Sequence, residues 1–493
     1  MKLTELLVGL ESEKVVGDIG KIQVKGLAND TRNIKKGFLY FCLSGYSVDG
    51  HGFAEEAVGQ GAVALVVERV LEVDCPQILV KNSRIAMAEI AAAFNGRPAE
   101  KLKFITVTGT NGKTSTTYFI SSILESAGKS VGVIGTTGNV INGIKQSGTL
   151  TTPDPIELHA LLKKMLESGV EVVAMEASAH AITLNKLHGI QADVAILTNI
   201  TQDHLDFYGS MEKYAEAKLS YFTPAYAKTC VVNVDDEYGR KLLAGAGIPV
   251  YTYGLENPAG VFAVNCMFST GGTDYFLNLF DELININTKM LGKFNLYNAL
   301  AAAAACKVFG AAPETVAKGL REMEPVEGRF NVINLPNKTS VIIDYAHTPD
   351  SLSNILGAVR GICKGRIISV FGCGGNRDSI KRPTMGKISC ALADFTVITS
   401  DNPRFEEPEE IIAQVEQGAK QVSENYICIT DRVEAIAYGL KNLQPGDCMV
   451  LSGKGSEDYM DVMGVKRRYS DFEAVEKQYG KFPFSEGVDA AER

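Results

Sequence analysis

The chain has 493 residues, of which 45% are hydrophobic and 22% charged, and a net charge of −9. At about 150 residues per domain, that length makes about three domains, each able to bury a core. The acidic balance speaks against a nucleic-acid-binding surface, which needs clustered lysine and arginine, but leaves room for a local basic pocket around an anionic small molecule.

The N-terminus meets acidic residues within its first turns and has no long apolar run, so it does not read as a signal peptide. The most apolar stretch, 299–305, is alanine-rich and bounded by Asn298 and Lys307. That is far short of the roughly 20 residues a membrane helix needs. Ten cysteines stand singly with no C-x-x-C pair, which suits reduced thiols of a cytoplasmic protein better than a disulfide framework or zinc site.

In chain order, a first segment (1–98) has apolar runs at 38–43 and 62–67 and a helical pattern over 83–94. It closes in Asn95, Gly96, Arg97 and Pro98, a helix stop and linker. A second segment (99–335) alternates strands predicted over 104–107, 130–134, 170–175 and 192–197 with helices, the rhythm of a doubly wound parallel sheet. The turn-rich stretch 324–337 marks the next boundary. A third segment (336–493) repeats the α/β pattern, with strands over 341–343, 367–371, 395–399 and 448–452, as in a Rossmann-like unit.

Gly109, Thr110, Asn111, Gly112, Lys113 and Thr114 follow the first strand of the second segment and precede a helix near Ser115. This is the setting of a phosphate-binding loop. Backbone N–H groups at a helix N-terminus cradle phosphates, Lys113 reaches the β- and γ-phosphates, and the Thr114 hydroxyl suits Mg²⁺. The full G-x-x-x-x-G-K-[ST] pattern needs glycine where Val107 stands, so the loop is a shortened form. No N-K-x-D guanine signature is present, since Ser340 closes the nearest match, and ATP is preferred over GTP. Such an enzyme needs a carboxylate near the metal. Glu176 ends a strand at the edge where open sheets bind ligands, although an acid there is by itself more often a solvated turn residue. His204 follows another strand and pairs with Glu176 as a candidate for a second cation, although a lone histidine is more often structural. The glycine run 372–375 is a weak dinucleotide signal, because Arg377 stands where G-x-G-x-x-G needs its last glycine.

These motifs, taken with Thr151–Pro153, Met175–His180, Asp203–Asp206, Gly292–Asn295, Gly328–Arg329, Asp344–His347, Asp401–Arg404 and Ser452–Gly455, occur in an order that resembles the Mur ligases, the enzymes that extend the peptide of the bacterial cell-wall precursor. The resemblance runs essentially end to end and is strongest to members that add the third peptide residue. It implies three domains: one for the UDP-sugar, a central ATPase, and a C-terminal domain that brings the amino acid. It implies ATP and Mg²⁺, and substrates UDP-N-acetylmuramoyl-L-alanyl-D-glutamate and meso-diaminopimelate, joined through an acyl phosphate by a cytoplasmic monomer.

The resemblance also assigns residues. Lys218, which alone reads as a solvated helix lysine, matches a lysine that carries a carbamate and would ligate Mg²⁺ with Thr114, Glu176 and His204. Arg329, Asp344 and His347 match residues near the nucleotide, and Asn295 and Asn298 those flanking its base. Asn29, Thr31, Tyr46, Ser47, Val48, Thr151, Thr152, Ser178 and Lys186 match the precursor site. Leu184 and Lys186 stand where many members have Gln and Arg, and lysine lacks the bidentate geometry of arginine. Arg377, Asp401, Asn402, Pro403, Arg404, Gly453 and Glu457 match the diaminopimelate site. L-lysine as the added residue, a folylpolyglutamate-type ligase, and a P-loop ATPase without ligase chemistry are the alternatives.

Overall fold

The computed structural model describes residues 1–45, 48–146, 148, 150–269 and 271–480. Among them, sheets of five, eleven and six strands form three successive α/β units, and a small two-stranded ribbon lies in the third.

In the first unit the strands lie in the order Lys14–Val16, Gln77–Leu79, Ala62–Val67, Phe38–Phe41 and Gly26–Ala28, and all but the first run parallel. Parallel strands are covered on both faces and read as continuous apolar runs; Ala62–Val67 is such a run, buried except at half-buried Val63. Helix Ser83–Phe94 starts at Asn82, whose side chain accepts from the N–H groups of Arg84 and Ile85. It packs on helix Pro155–Glu167 and so ties the first unit to the second.

The second unit has a parallel core in the order Val261–Ser269, Val250–Tyr253, Cys230–Asn233, Val194–Leu197, Lys103–Thr108, Val172–Glu176 and Val131–Gly135. Antiparallel strands extend both edges, Gly272–Leu279 and Glu282–Thr288 on one side and Gly138–Ile141 and Ile144–Gln146 on the other. Helix Lys293–Phe309 lies against helix Lys113–Ser126. Its alanines at 301–305 are all buried, and their small side chains let the two backbones approach closely.

The third unit follows the order Asn331–Leu335, Thr339–Asp344, Cys448–Ser452, Ile367–Phe371, Phe395–Ile398 and Tyr426–Cys428, parallel except for the first pair. The boundary expected at 335 is displaced: Asn331–Leu335 pairs with Thr339–Asp344, so the third unit begins before it. This strand is short and flanked on both sides by turn residues, and composition therefore placed the boundary after it. The ten cysteines are unpaired, and no helix among the described residues is long and apolar enough to cross a membrane.

Candidate active site

Three adjacent parallel strands aim their C-terminal ends at one point. Val107 is in register with Glu176 on one neighbour, and Thr108 with Leu197 on the other. The phosphate loop leaves the central strand, Glu176 ends the second, and 198–204 follows the third. The loop depends on its glycines. Gly112 caps helix Lys113–Ser126 at φ +86°, a left-handed conformation that favours glycine, and a Cβ there would lie 2.3 Å from Asn298 Oδ1. A Cβ on Gly109 would meet Thr198 Oγ1 at 1.8 Å. The helix begins at Lys113, two residues before the expected Ser115.

Lys113 curls back, its Nζ donating to the carbonyls of Gly109 and Thr110 at 3.0 and 2.9 Å. Burial pushes its pKa below the ordinary lysine value, against the attraction of Glu176 and Asp203. The Thr114 hydroxyl donates to Glu176 Oε1 at 2.8 Å, and Arg329 Nη2 donates to Thr114 Oγ1 at 3.0 Å. Fully buried Glu176 also accepts from the backbone N–H and hydroxyl of Thr136 at 2.9 and 3.0 Å.

Lys218 is not a solvated lysine. It is 1% exposed on helix Met211–Leu219, and its Nζ donates to the Gly109 carbonyl at 2.7 Å. Burial, reinforced by nearby Lys113, holds its pKa well below the usual value. His204 has a left-handed backbone (φ +54°) and stands edge-on to His180, ring centres 4.7 Å apart. Burial holds it neutral, and Asp203 lies 3.3 Å from its Nε2. Glu176 and His204 form no metal cluster of their own, for no group of three or more His, Cys, Asp or Glu side chains suited to a metal occurs among the described residues.

A cavity of about 430 Å³ opens over the loop, with Lys113, Thr114, Ser115, Asn298, Arg329, Asp344 and His347 among its walls. Asn295 is not on its surface; it is buried beneath, accepting from Asn298 Nδ2 at 3.2 Å and donating to the Leu291 carbonyl. The far wall belongs to the third unit. Asp344 accepts from the N–H groups of Phe330 and Ala346, and burial raises its pKa. Arg329 lies over the Tyr345 ring at 4.4 Å. Several contacts bridge the units: Asn111 Nδ2 to Asp350 Oδ2 at 2.7 Å, Gln202 to Asp378 at 3.3 Å, and Asp203 to Lys381 and His347 at 3.9 and 4.0 Å. Burial alone would raise the Asp203 carboxyl, but His204, His347 and Lys381 together hold it below the ordinary value.

Thr151 meets Thr136 hydroxyl to hydroxyl at 3.1 Å, and Thr152 donates to the Glu176 carbonyl and lies 3.3 Å from Ser178 Oγ. Lys186 pairs with Asp154 at 2.8 Å. Asn29 and Thr31, both half-buried, follow strand Gly26–Ala28, and Val48 is exposed. Tyr46 and Ser47 lie outside the described residues. In the third unit, Gly453, Gly372 and Asp401 follow three adjacent strand ends. Arg404 has a left-handed backbone (φ +52°), and its Nη1 donates to the Gly375 carbonyl at 2.8 Å. Arg377 is exposed, and both arginines approach Gly374. Pro403 is buried, and Asn402 Nδ2 donates to Glu457 Oε2 at 2.9 Å.

The Mur ligase middle-domain model matches residues 107–306, the Mur ligase glutamate-ligase-domain model 328–455, and the Mur ligase catalytic-domain model 23–97. A curated relative from Geobacillus kaustophilus, named UDP-N-acetylmuramoyl-L-alanyl-D-glutamate–2,6-diaminopimelate ligase, is 43% identical over 90% of this chain and 92% of its own. The chain belongs to the Mur ligase family. A Clostridium acetobutylicum Mur ligase named for the same reaction is 40% identical over 98% of this chain and 99% of its own. A solved structure titled as that ligase aligns at a TM-score of 0.66 and 29% identity, over 94% of this chain and 96% of that one. A Thermotoga maritima MurF ligase, solved with ADP, shares the fold at a TM-score of 0.64 and 20% identity, over 94% and 98% of the two chains.

Within this Mur ligase architecture, several site residues escaped the sequence reading. Asp203 and Lys454 lay inside quoted motifs but were given no part. Thr136, Asp350 and Lys381 carried no local signal, because their partners come from other strands or another unit.

Proposed function

We propose that the chain joins meso-2,6-diaminopimelate to the terminal carboxylate of UDP-N-acetylmuramoyl-L-alanyl-D-glutamate, converting ATP to ADP and phosphate, in peptidoglycan precursor synthesis. The supporting observation is one cavity walled by the phosphate loop, Glu176, Arg329 and the 344–350 segment, in a chain whose relatives named for this reaction align over nearly its full length.

In this reading the first unit takes the UDP end of the precursor, the second holds ATP, and the third presents the amino acid. The precursor carboxylate attacks the γ-phosphorus, the bond to the ADP oxygen breaks, and an acyl phosphate forms. The amine nitrogen then attacks the acyl carbon. The tetrahedral adduct collapses with loss of phosphate, and the ammonium proton leaves to solvent. A carboxylate resists amines because its carbonyl is electron-rich, and phosphorylation supplies the leaving group. Lys113 and Arg329 bring cationic charge to the transferring phosphoryl group, and positioning supplies most of the remainder.

The hard oxygens of Thr114 and Glu176 fit Mg²⁺, which when bound neutralises phosphate charge. Lys218 suits carbamylation. Burial favours its neutral amine, which adds to CO₂ through a new C–N bond and releases a proton, turning a buried amine into an oxygen ligand beside Glu176 and His204. Nucleotide-linked precursors and ATP make the cytoplasm the site of action.

The test measures phosphate release and product mass with ATP, the dipeptide precursor and a panel of diamino acids. Release requiring both acceptor and amine, with meso-diaminopimelate preferred, is expected. ATP hydrolysis independent of both would overturn the ligase reading, and a preference for L-lysine would overturn the choice of amino acid.

A further inference from the structure

Behind the amino-acid face of the third unit lies a lysine to which the reaction above gives no part. Lys454 is fully buried. Its Nζ donates to Asn402 Oδ1 at 2.9 Å, to Glu457 Oε2 at 2.7 Å and to the Tyr459 carbonyl at 2.5 Å. An ammonium has three protons, so the head group is fully used. Asn402 also donates to the same Glu457 Oε2, and its Oδ1 accepts from the Asp461 N–H at 2.9 Å. Two donors therefore hold one oxygen of Glu457. Its other oxygen, Oε1, accepts no hydrogen bond among the described residues, and the side chain keeps 20% exposure.

Stability alone does not account for this lysine. Buried ion pairs are commonly replaced by well-packed apolar residues at no loss of stability. An apolar chain at 454 would fill the space but leave Glu457 Oε2 with one donor, Asn402 Nδ2, and Asn402 Oδ1 with one, the Asp461 N–H. Charge points the same way. Asp401 Oδ1 lies 3.8 Å from Lys454 Nζ, so two carboxylates share one buried cation and one unit of negative charge is left over. On the loop beside it, Arg404 Nη1 donates to the Gly375 carbonyl, a guanidinium whose remaining donors suit a carboxylate.

We infer that Lys454 is a positioning residue for the amino-acid substrate: it clamps Asn402 and Glu457 Oε2 so that Glu457 Oε1 faces a single distal ammonium, and it cancels the second carboxylate beneath. The inference rests on the reading that 401–404 and Glu457 receive the diamino acid.

A double-variant cycle on the full chain tests it. Lys454→Met raises KM for the diamino acid at least about tenfold and leaves KM for ATP and for the precursor within about twofold. Glu457→Ala raises the same constant, and the double variant raises it no further, because both changes remove one interaction. Lys454→Gln, which keeps an amide donor, falls between wild type and Lys454→Met. Effects that multiply in the double variant, or an equal rise in all three KM values, would overturn the inference. Should Lys454→Met fail to fold, the cycle with Lys454→Gln carries the same comparison. A wild-type enzyme that uses no diamino acid refutes the substrate reading itself, before any variant is made.

Discussion

Lys113 is the only side chain of the phosphate loop long enough to reach a γ-phosphate, and it rests on its own loop's carbonyls, ready to exchange them for phosphate oxygens. Lys113→Ala should leave a folded protein whose ligation falls on the order of a thousandfold, measured as product formed; near-normal turnover would remove ATP from this cavity. This residue was legible because a strand, glycines and a lysine at fixed spacing encode the loop locally. Lys218 was not. Nothing in its helix distinguishes it from a surface lysine, and only the family resemblance singled it out; the tertiary fold is what buries it under Gly109. Lys218→Ala should lose activity and regain part of it with added acetate or formate, whose oxygens replace the carbamate's. Full activity in the alanine variant would refute the carbamate.

At the scale of elements, the parallel strands were readable because burial on both faces demands unbroken apolar runs. The edge strands Gly272–Leu279 and Glu282–Thr288 were missed, for they alternate buried and exposed positions and carry polar residues. The loop after Phe395–Ile398 presents Asp401 to Arg404 at the sheet edge, as its position after an apolar run foretold. Arg404→Ala should raise KM for diaminopimelate well over tenfold, about 2 kcal/mol or more, with KM for ATP nearly unchanged; undiminished preference over L-lysine would exclude Arg404 from selecting the amino acid. Helix Pro155–Glu167 carries a different liability. His159 is 1% exposed with neither ring nitrogen hydrogen-bonded among the described residues, and burial holds its pKa at about 4. The folded value lies below the ordinary 6.5, so the unfolded chain takes up the proton first. Stability is therefore full above pH 6.5 and declines as pH falls towards 4, by about 2 kcal/mol at pH 5. Denaturant melts of His159→Leu should show a correspondingly flatter pH dependence; an identical slope would show that His159 titrates freely in the fold.

Over the whole molecule, the second and third units meet through polar pairs of Asp203, Asn111 and Arg329 and through Leu291 and Phe294, which pack on the apolar core of the third unit. Neither segment alone predicts such a pair, since each partner reads as an ordinary loop residue in its own unit. The three-unit plan was legible from motif order, but the contacts between units were not. Asp203→Ala leaves Lys381 without this carboxylate. A loss of about 1 kcal/mol shifts an open–closed equilibrium roughly fivefold towards open, visible as a larger radius of gyration in small-angle scattering without nucleotide. An unchanged radius would show that Asp203 does not hold the units together.

The cavity over the phosphate loop has walls from two units, and this bears on how small molecules could inhibit the protein. A compound that touches only the loop and Asn298 meets the same surface whether the third unit is near or far. It competes with nucleotide but has no preference between shapes of the protein. A compound that also bonds Asp350 or His347 finds its full set of partners only when the units meet. Its differential affinity for that arrangement would act as a trap, holding the protein shut and delaying escape. Compounds of the second kind should therefore show slow release out of proportion to their equilibrium competition with ATP, a distinction that residence-time measurements can read directly.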